Sequence, residues 1–141
     1  MAKVFWDTNL FVYLVEDRGP LAERVAQVWQ RMRERGDRLY TTALTVGEIL
    51  VKPVQMGARD LEQSYFQIFR NPEITVIPFD LRIAPLYARV RTDSTIRAPD
   101  AIQLACAAAA GIDLFITNDD RLSRKRIPEI KFITGLDHAP V

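Results

Sequence analysis

Short apolar segments alternate with stretches of helical periodicity along the chain, and this alternation constrains the fold most. The segments that predict β-strands are residues 4–6, 39–40 with their neighbours, 73–77, 113–117 and 131–133. Apolar residues at helical spacing predict helices at about 9–15, 21–35, 42–51, 58–70, 80–91 and 99–110. Strands that are separated by helices throughout pair in parallel, with helices on both faces. The sequence therefore predicts an α/β fold of three layers, α/β/α, with a central parallel sheet of about five strands.

Proline and glycine set several of the predicted boundaries. Residues 17–20 predict a turn after the first helix, and Pro53 marks the end of the helix that Thr42 can cap. Pro99 stands in the first turn of the last long helix, where proline is tolerated. That helix is apolar nearly all round, so we expect it to be central and buried. We find no repeat and no linker, and we predict one domain over residues 1–141.

The composition is typical of a globular protein, with 48% hydrophobic and 26% charged residues. Nineteen basic and eighteen acidic residues give a net charge of +1, so any basic patch for a nucleic acid must be local. The lone Cys106 excludes an internal disulfide and predicts a small buried side chain in a reducing compartment. The first residues are too few for a signal peptide, and the apolar runs are too short for a membrane span. We therefore expect a cytoplasmic protein.

Four acidic residues occupy positions that a parallel sheet would bring together. Asp7 and Asp119 follow predicted strands, and Asp100 stands in the first turn of the buried helix. Glu48 lies near the middle of the helix after the second strand. Ligand sites in parallel sheets lie beyond the carboxyl ends of the strands. We therefore expect the three aspartates at one rim of the sheet.

Each acidic position also has an ordinary structural explanation. Asp7 and Asp119 could cap the short helices that follow them, and the helix dipole favours Asp100 in a first turn. Thr45 and Glu48 match the spacing of a capping box. The combination favours a functional site, because carboxylates that come close raise one another's pKa and destabilise the fold unless a cation intervenes.

The available side chains restrict the chemistry of such a site. Carboxylate oxygens with room for water suit Mg²⁺ or Mn²⁺ better than Zn²⁺. The one histidine, His138, cannot supply the paired acid and base of a metal-free ribonuclease, and no Gly-rich phosphate loop is present. Metal-assisted hydrolysis of a phosphodiester is the simplest interpretation, because a divalent ion lowers the pKa of water and screens the phosphate.

Four short motifs together resemble the PIN-domain nucleases. They are Asp7-Thr8-Asn9 after an apolar strand, Glu48 in Thr45-Val46-Gly47-Glu48-Ile49-Leu50, Pro99-Asp100-Ala101 and Thr117-Asn118-Asp119. Their order, their spacing and the chain length are similar to those of the VapC-type toxins of prokaryotic toxin–antitoxin pairs. The resemblance spans essentially the whole chain. Leu122 replaces the aromatic residue that often follows the last acid, which should affect only packing.

The resemblance implies a metal-dependent endoribonuclease that uses Mg²⁺ or Mn²⁺ and cleaves structured RNA. It implies that Asp7, Asp100 and Asp119 are metal ligands, directly or through water. Glu48 would be a further ligand or would orient the attacking water. In-line hydrolysis would then leave a 5′-phosphate and a 3′-hydroxyl.

The same resemblance implies supporting residues and partners. Asn9 and Thr117 would hold the carboxylates in position. Such toxins usually form homodimers and are blocked by a cognate antitoxin protein. Exposed apolar positions of the helices at 21–35 and 58–70 could bind that antitoxin, although an ordinary core explains these positions equally well.

Basic residues lie close in sequence to two of the acids. The two groups are Arg121, Arg124, Lys125 and Arg126 after Asp119, and Arg89, Arg91 and Arg97 before Asp100. Both groups could bind the RNA backbone, which would make binding salt-dependent. A solvated charged surface explains them equally well.

Two other functions remain open at this point. A phosphatase or phosphotransfer domain of doubly wound fold would use Asp7 as a nucleophile. It normally needs a well-placed lysine, and none of the four lysines has an obvious place near the site. A binding module could keep the PIN fold without catalysis, although such a module gains nothing from four carboxylates that repel one another.

Overall fold

The computed structural model describes residues 1–16 and 19–140. Within them, the five strands are β1 (Lys3–Trp6), β2 (Arg38–Thr42), β3 (Ile74–Ile77), β4 (Leu114–Thr117) and β5 (Phe132–Gly135). The helices of the same residues are α1 (Thr8–Glu16), α2 (Gly19–Arg35), α3 (Ala43–Met56), α4 (Arg59–Phe69), α5 (Ala84–Val90), α6 (Ala98–Ala110) and α7 (Asp120–Ser123). A short 3₁₀-helix, Leu136–His138, follows β5. This order confirms the predicted alternation of strands and helices.

All neighbouring strands of the sheet are parallel, in the order β3-β2-β1-β4-β5. The first strand is central, and Phe5 lies opposite Tyr40 on one side and Phe115 on the other. Because the strands all run in the same direction, their carboxyl ends meet at one edge. The predicted parallel sheet is therefore confirmed.

Side chains of β1 alternate between two hydrophobic clusters, as the period of a strand requires. Val4 and Trp6 pack in the cluster that α1, α2, α3 and α4 complete. Phe5 lies in the cluster on the opposite face, where α5 and α6 pack, and it stacks on Phe115 with ring centroids 4.7 Å apart. The sheet thus lies between two helical layers, which confirms the α/β/α architecture.

Helix α6 is the most buried helix of the second layer, as its apolar sequence predicts. Pro99 lies in its first turn, and the backbone at Gly111 ends it with φ +65°. Cys106 is fully buried in this helix, and burial raises the pKa of its thiol to about 11. The lone cysteine is therefore a protonated core side chain at neutral pH.

The prediction that the third helix ends at about residue 51, before Pro53, was wrong. Helix α3 continues to Met56, with Pro53 buried inside it. The helix ends only at Gly57, whose φ of 64° lies in the left-handed region. There the N–H groups of Gly57 and Ala58 donate to carbonyls of the last turn. Glycine rather than proline therefore sets this boundary.

Two other boundaries also differ from the prediction. The helix expected from about residue 80 begins at Ala84, because the Asp80 carboxylate accepts a hydrogen bond from the Arg82 N–H (3.1 Å) and forms a turn. Of the turn predicted at residues 17–20, Asp17 and Arg18 lie outside the described residues. The other half of this prediction was wrong, since residues 19 and 20 already belong to α2.

The apolar positions of α2 belong to the core. Val25, Val28 and Met32 are fully buried, which favours the ordinary-core explanation for this helix. Some of the exposed large apolar side chains lie on α3 and α4, at Val51, Val54, Met56 and Phe66, and others lie outside these helices, at Met1, Phe79, Leu81 and Phe132. No helix in residues 1–16 and 19–140 combines the length and the hydrophobicity that crossing a bilayer requires.

Candidate functional site

The carboxyl ends of β1 and β4 bring two of the predicted acids to the same edge of the sheet. Asp7 directly follows β1, and its N–H donates to the Ile116 carbonyl (3.0 Å), so the strand pairing continues to this residue. Asp119 comes two residues after the end of β4 and caps α7. The capping explanation for Asp119 is confirmed, and its carboxylate also lies at this edge.

Thr117 connects these two aspartates. It is fully buried, its hydroxyl donates to Asp7 Oδ2 (2.8 Å), and its Oγ1 accepts from the Asp119 N–H (3.1 Å). The other oxygen of Asp7, Oδ1, accepts from the N–H of Thr8 (2.8 Å). Both oxygens of Asp7 are therefore held in place. These contacts favour the supporting role predicted for Thr117.

Asp7, Asp100 and Asp119 lie close enough to affect one another's ionisation. Burial raises the pKa of Asp7, hydrogen bonds from Thr117 and Thr8 oppose that rise, and the charge of Asp119 adds to it. Burial also raises the pKa of Asp100, and the charges of Asp7 and Asp119 raise it further. The fold thus gathers the three carboxylates in one electrostatic cluster.

Arg121 shifts the pKa of Asp119 in the direction opposite to the shifts of Asp7 and Asp100. Burial by itself would raise the pKa of Asp119, but bonds from the backbone and side chain of Arg121 outweigh it and lower that pKa. The Arg121 N–H lies 2.9 Å from Asp119 Oδ1, and its Nη2 lies 3.5 Å from Oδ2. The guanidinium is largely exposed, so a cationic donor stands beside the three carboxylates.

Glu48 is linked to Asp7 through Thr8, which donates to both carboxylates. It is exposed on α3, and its Oε1 accepts a hydrogen bond from the Thr8 hydroxyl (3.2 Å). Thr8 directly follows Asp7 in the chain. The capping-box explanation for Thr45 and Glu48 was wrong, because the cap of α3 is Thr42, whose hydroxyl accepts from the Thr45 N–H (3.2 Å). Glu48 therefore has no capping role at the start of this helix.

Gln103 is a buried polar residue that the motifs did not single out. It lies one turn after Asp100 in α6, is 2% exposed, and hydrogen-bonds to Thr42, Thr45 and Thr8. The sequence did contain an indication of its role, because Gln103 is the one polar side chain besides a thiol in the apolar run at 101–110. Its partners are distant in sequence, so spacing alone could not identify them.

The other predicted residues lie on the surface of the molecule. Asn9 is exposed, and within the described part of the chain it shows no hydrogen bond to an acidic side chain, so its supporting role stays a prediction. Arg124 and Arg126 are exposed and line a groove of about 680 Å³. Lys125 is bound by Asp93 instead (Nζ to Oδ2, 2.9 Å).

The donor chemistry of the cluster fits a hard divalent cation. In residues 1–16 and 19–140, no three acidic, histidine or cysteine side chains already form a compact metal-binding group. Mg²⁺ does not need one, because it keeps several of its waters and takes one or two carboxylates. Burial and neighbouring charges raise the pKa of Asp7 and of Asp100, and a cation bound beside them would favour their ionised forms.

Comparisons with known proteins agree with this fold. The sequence model of the PIN domain family matches residues 4–128. No curated protein sequence matches the chain. Among solved structures, a chain of VapBC2 from Rickettsia felis, bound to a DNA fragment from its promoter, is similar with a TM-score of 0.74 and 17% identity. The alignment covers 94% of this chain and 97% of that one.

Two further structures show the same fold. A toxin–antitoxin complex from Klebsiella pneumoniae matches with a TM-score of 0.68 and 20% identity, over 91% of this chain and 95% of that one. DNA-bound VapBC from Salmonella typhimurium matches with a TM-score of 0.66 and 17% identity, over 96% and 99%. At such identities the likeness shows the fold. Because the family model spans most of the sequence, the chain belongs to the PIN domain family.

Proposed function

We propose that this chain is a divalent-metal-dependent endoribonuclease and the toxin of a toxin–antitoxin pair. The observation that carries the proposal is the cluster of Asp7, Asp100 and Asp119 at the carboxyl edge of the sheet. The pKa of two of them is raised by burial and by the neighbouring charges. A cluster of this kind is costly to a fold unless it binds a cation, and it lies where parallel sheets place their ligand sites.

Asp7, Asp100 and Asp119 would hold Mg²⁺ or Mn²⁺, which supplies positive charge at the scissile phosphate and lowers the pKa of a water. Thr117 would keep Asp7 and the Asp119 backbone in place through the two bonds described above. Glu48, which as a carboxylate only accepts hydrogen bonds, would orient the attacking water. Cleavage by water in line with the leaving group yields a 5′-phosphate and a 3′-hydroxyl.

Basic side chains of α7 and of the segment after it would hold the RNA backbone. Arg121 stands beside Asp119, and the exposed Arg124 and Arg126 follow on the same segment. Arginine suits phosphate because its planar fork bonds two oxygens at once. Lys125 would take little part, since it is engaged with Asp93 and Thr95.

An RNA cleavage assay with exchanged metals tests the proposal. Labelled RNA is incubated with the protein in Mg²⁺, in Mn²⁺ or in EDTA, and the wild type is compared with Asp7→Asn and Asp100→Asn. We expect cleavage only with a metal and a loss of about a hundredfold or more in both variants, since each removes a charge that the cation needs. Asp60→Asn, on the exposed start of α4, is the matched control and should cleave normally.

The products separate this proposal from its alternatives. Cleavage that persists in EDTA, or that leaves a 2′,3′-cyclic phosphate, would overturn metal-dependent hydrolysis. A phosphate group trapped covalently on Asp7 would favour a phosphotransfer domain instead. Metal binding without cleavage of any RNA would favour a binding module with the PIN fold.

The proposed partner is a small antitoxin protein. The proposal of this partner rests on the similar solved structures, which are toxin–antitoxin complexes of the same fold. Purification of the chain from its own cells should recover a second, smaller protein at a fixed ratio, and adding that protein should stop RNA cleavage. Light scattering of the isolated chain tests the accompanying proposal of a homodimer. A monomer at micromolar concentration would contradict that part.

A further inference from the structure

Gln103 joins the three elements that carry Asp7, Glu48 and Asp100. It lies in α6 one turn after Asp100, and its amide reaches Thr42 at the end of β2, Thr45 in α3 and Thr8 at the start of α1. Its side chain is 2% exposed, and Thr42 and Thr45 are fully buried. Buried polar groups of this kind are costly unless all of their hydrogen bonds are made, so the network has little freedom to rearrange.

The cap of α3 sets the orientation of the Gln103 amide. The Thr42 oxygen already accepts from the Thr45 N–H, and its hydroxyl has one proton to donate. That proton goes to Gln103 Oε1, so the Nε2 group faces Thr45 and Thr8. A reversed amide would leave the buried Thr42 proton without this acceptor. The helix cap therefore determines which end of Gln103 points toward the acidic cluster.

The orientation of the Gln103 amide in turn determines which acceptor receives the hydroxyl proton of Thr8. The Thr8 oxygen accepts from Gln103 Nε2 (3.2 Å) and lies 3.1 Å from the Thr45 hydroxyl. The single Thr8 proton is directed at Glu48 Oε1, 3.2 Å away, so Thr45 must donate to Thr8. The hydroxyl and amide donors thus form a chain of hydrogen bonds that starts at Thr42 and ends at Glu48. The last acceptor of the chain is an exposed carboxylate that would otherwise sample many rotamers.

We propose that Gln103 and Thr8 are positioning residues that fix Glu48 at the acidic cluster through this directed chain of hydrogen bonds. The part of this inference that concerns cleavage rests on the proposed nuclease function. Neither residue need touch RNA or a cation, because both act through Glu48. Groups that support a metal-site residue in this way typically contribute about 10- to 100-fold in activity.

Two threonine variants test the chain of bonds without disturbing the core. Thr8→Val keeps the shape of the side chain but removes the hydroxyl, and Thr8→Ser keeps the hydroxyl. We expect Thr8→Val to lower kcat by about tenfold or more, with KM changed much less, and Thr8→Ser to retain most of the activity. Gln103→Met should behave as Thr8→Val does. Because Thr8 is only half-buried, we expect its variants to fold, and they test the proposal even if Gln103→Met does not fold.

A double-mutant cycle distinguishes positioning from a general structural role. In a Glu48→Ala background, Thr8→Val should reduce cleavage no further, because the residue through which it acts is absent. Additive losses in the double variant would overturn the proposal. Equal losses in Thr8→Ser and Thr8→Val would also overturn it, since the hydroxyl would then be irrelevant.

A readout in the metal-free protein makes the test independent of cleavage. The carboxylate carbon resonance of Glu48, assigned by its absence in Glu48→Ala, should move in the same direction in Thr8→Val and in Gln103→Met, and stay in place in Thr8→Ser. A resonance that neither variant moves would overturn the inference even if RNA is cleaved. A resonance that moves in a protein without RNA cleavage would confirm the network and overturn the nuclease proposal instead.

Discussion

At the edge of the sheet, the surroundings raise the pKa of two carboxylates and lower the pKa of a third. Asp7 accepts hydrogen bonds on both oxygens, yet burial still raises its pKa. The pKa of Asp100 is raised by burial and then by two neighbouring charges, with Arg97 and Arg121 opposing the rise. Asp119 has a lowered pKa because Arg121 bonds to it directly. The metal-free fold therefore carries an electrostatic cost that is concentrated at Asp7 and Asp100.

Asp100→Asn should stabilise the metal-free protein while it abolishes RNA cleavage. The amide keeps the size of the carboxylate and removes the charge that Asp7 and Asp119 repel. We expect the Tm of the metal-free variant to exceed that of the wild type by a few degrees. Added Mn²⁺ should raise the Tm of the wild type and much less that of the variant. Thermal melts with and without Mn²⁺ measure both effects.

The raised pKa values of Asp7 and Asp100 predict the direction in which the stability of the metal-free protein changes with pH. A carboxylate whose pKa is raised on folding binds its proton more tightly in the folded state, so stability falls as pH rises from the usual value of 3.8 through the folded-state pKa. Metal-free wild-type protein should therefore lose stability as pH rises above about 4, and Asp100→Asn should lose less. Equal slopes for the two proteins would contradict the electrostatic explanation.

The sequence alone could predict which acidic residues come together, but not the hydrogen-bond network that supports them. Asp7, Asp100 and Asp119 adjoin apolar segments whose place in a parallel sheet follows from periodicity, so their convergence could be inferred. Gln103 could not be assigned a role, because its three threonine partners lie between 58 and 95 residues away along the chain. Hydrogen-bond direction depends on how α1, α3 and α6 pack, and no local pattern encodes that.

At the scale of helices and strands, the predicted order was right and some ends were wrong. Helix α3 shows why, since Pro53 costs a helix one hydrogen bond and a ring clash, yet this helix continues for three more residues to Met56. The left-handed backbone at Gly57 is a stronger stop. Helix ends therefore depend on cap geometry that single-residue preferences describe poorly.

Gly47 inside α3 and Gly57 at its C-terminal cap should respond oppositely to alanine. Gly57→Ala forces a side chain into a left-handed conformation (φ 64°) and should destabilise the protein by about 1 kcal/mol. Gly47→Ala lies inside the helix with nothing within 4 Å of the added Cβ, and should stabilise it by roughly 0.5–1 kcal/mol. Urea unfolding of the two variants gives both values. Destabilisation by Gly47→Ala would contradict the open space around this position.

At the scale of the whole molecule, the topology places opposite charges side by side. The net charge is only +1, yet α7 places Arg121 next to the acidic edge, and Arg124 and Arg126 follow in the chain. The parallel sheet brings about this arrangement, because the residues after β4 start at the same rim as Asp7. One domain over residues 1–141 and a homodimer stay predictions. A local basic surface is the property of the molecule that RNA binding can test.

Arg124→Ala with Arg126→Ala should weaken RNA binding without weakening metal binding. Both side chains are exposed beside the groove that follows α7 and lie outside the acidic cluster. Each phosphate contact that is lost should reduce the slope of log affinity against log salt by about 0.7 to 0.9. RNA-binding titrations use Asp100→Asn as the background to prevent cleavage, and thermal melts with Mn²⁺ in the otherwise wild-type chain measure metal binding. Arg59→Ala, an exposed arginine at the start of α4, is the matched control and should leave the slope unchanged. A double variant with the wild-type slope would show that these arginines are solvated surface, and the RNA path would then have to follow other side chains of the same edge.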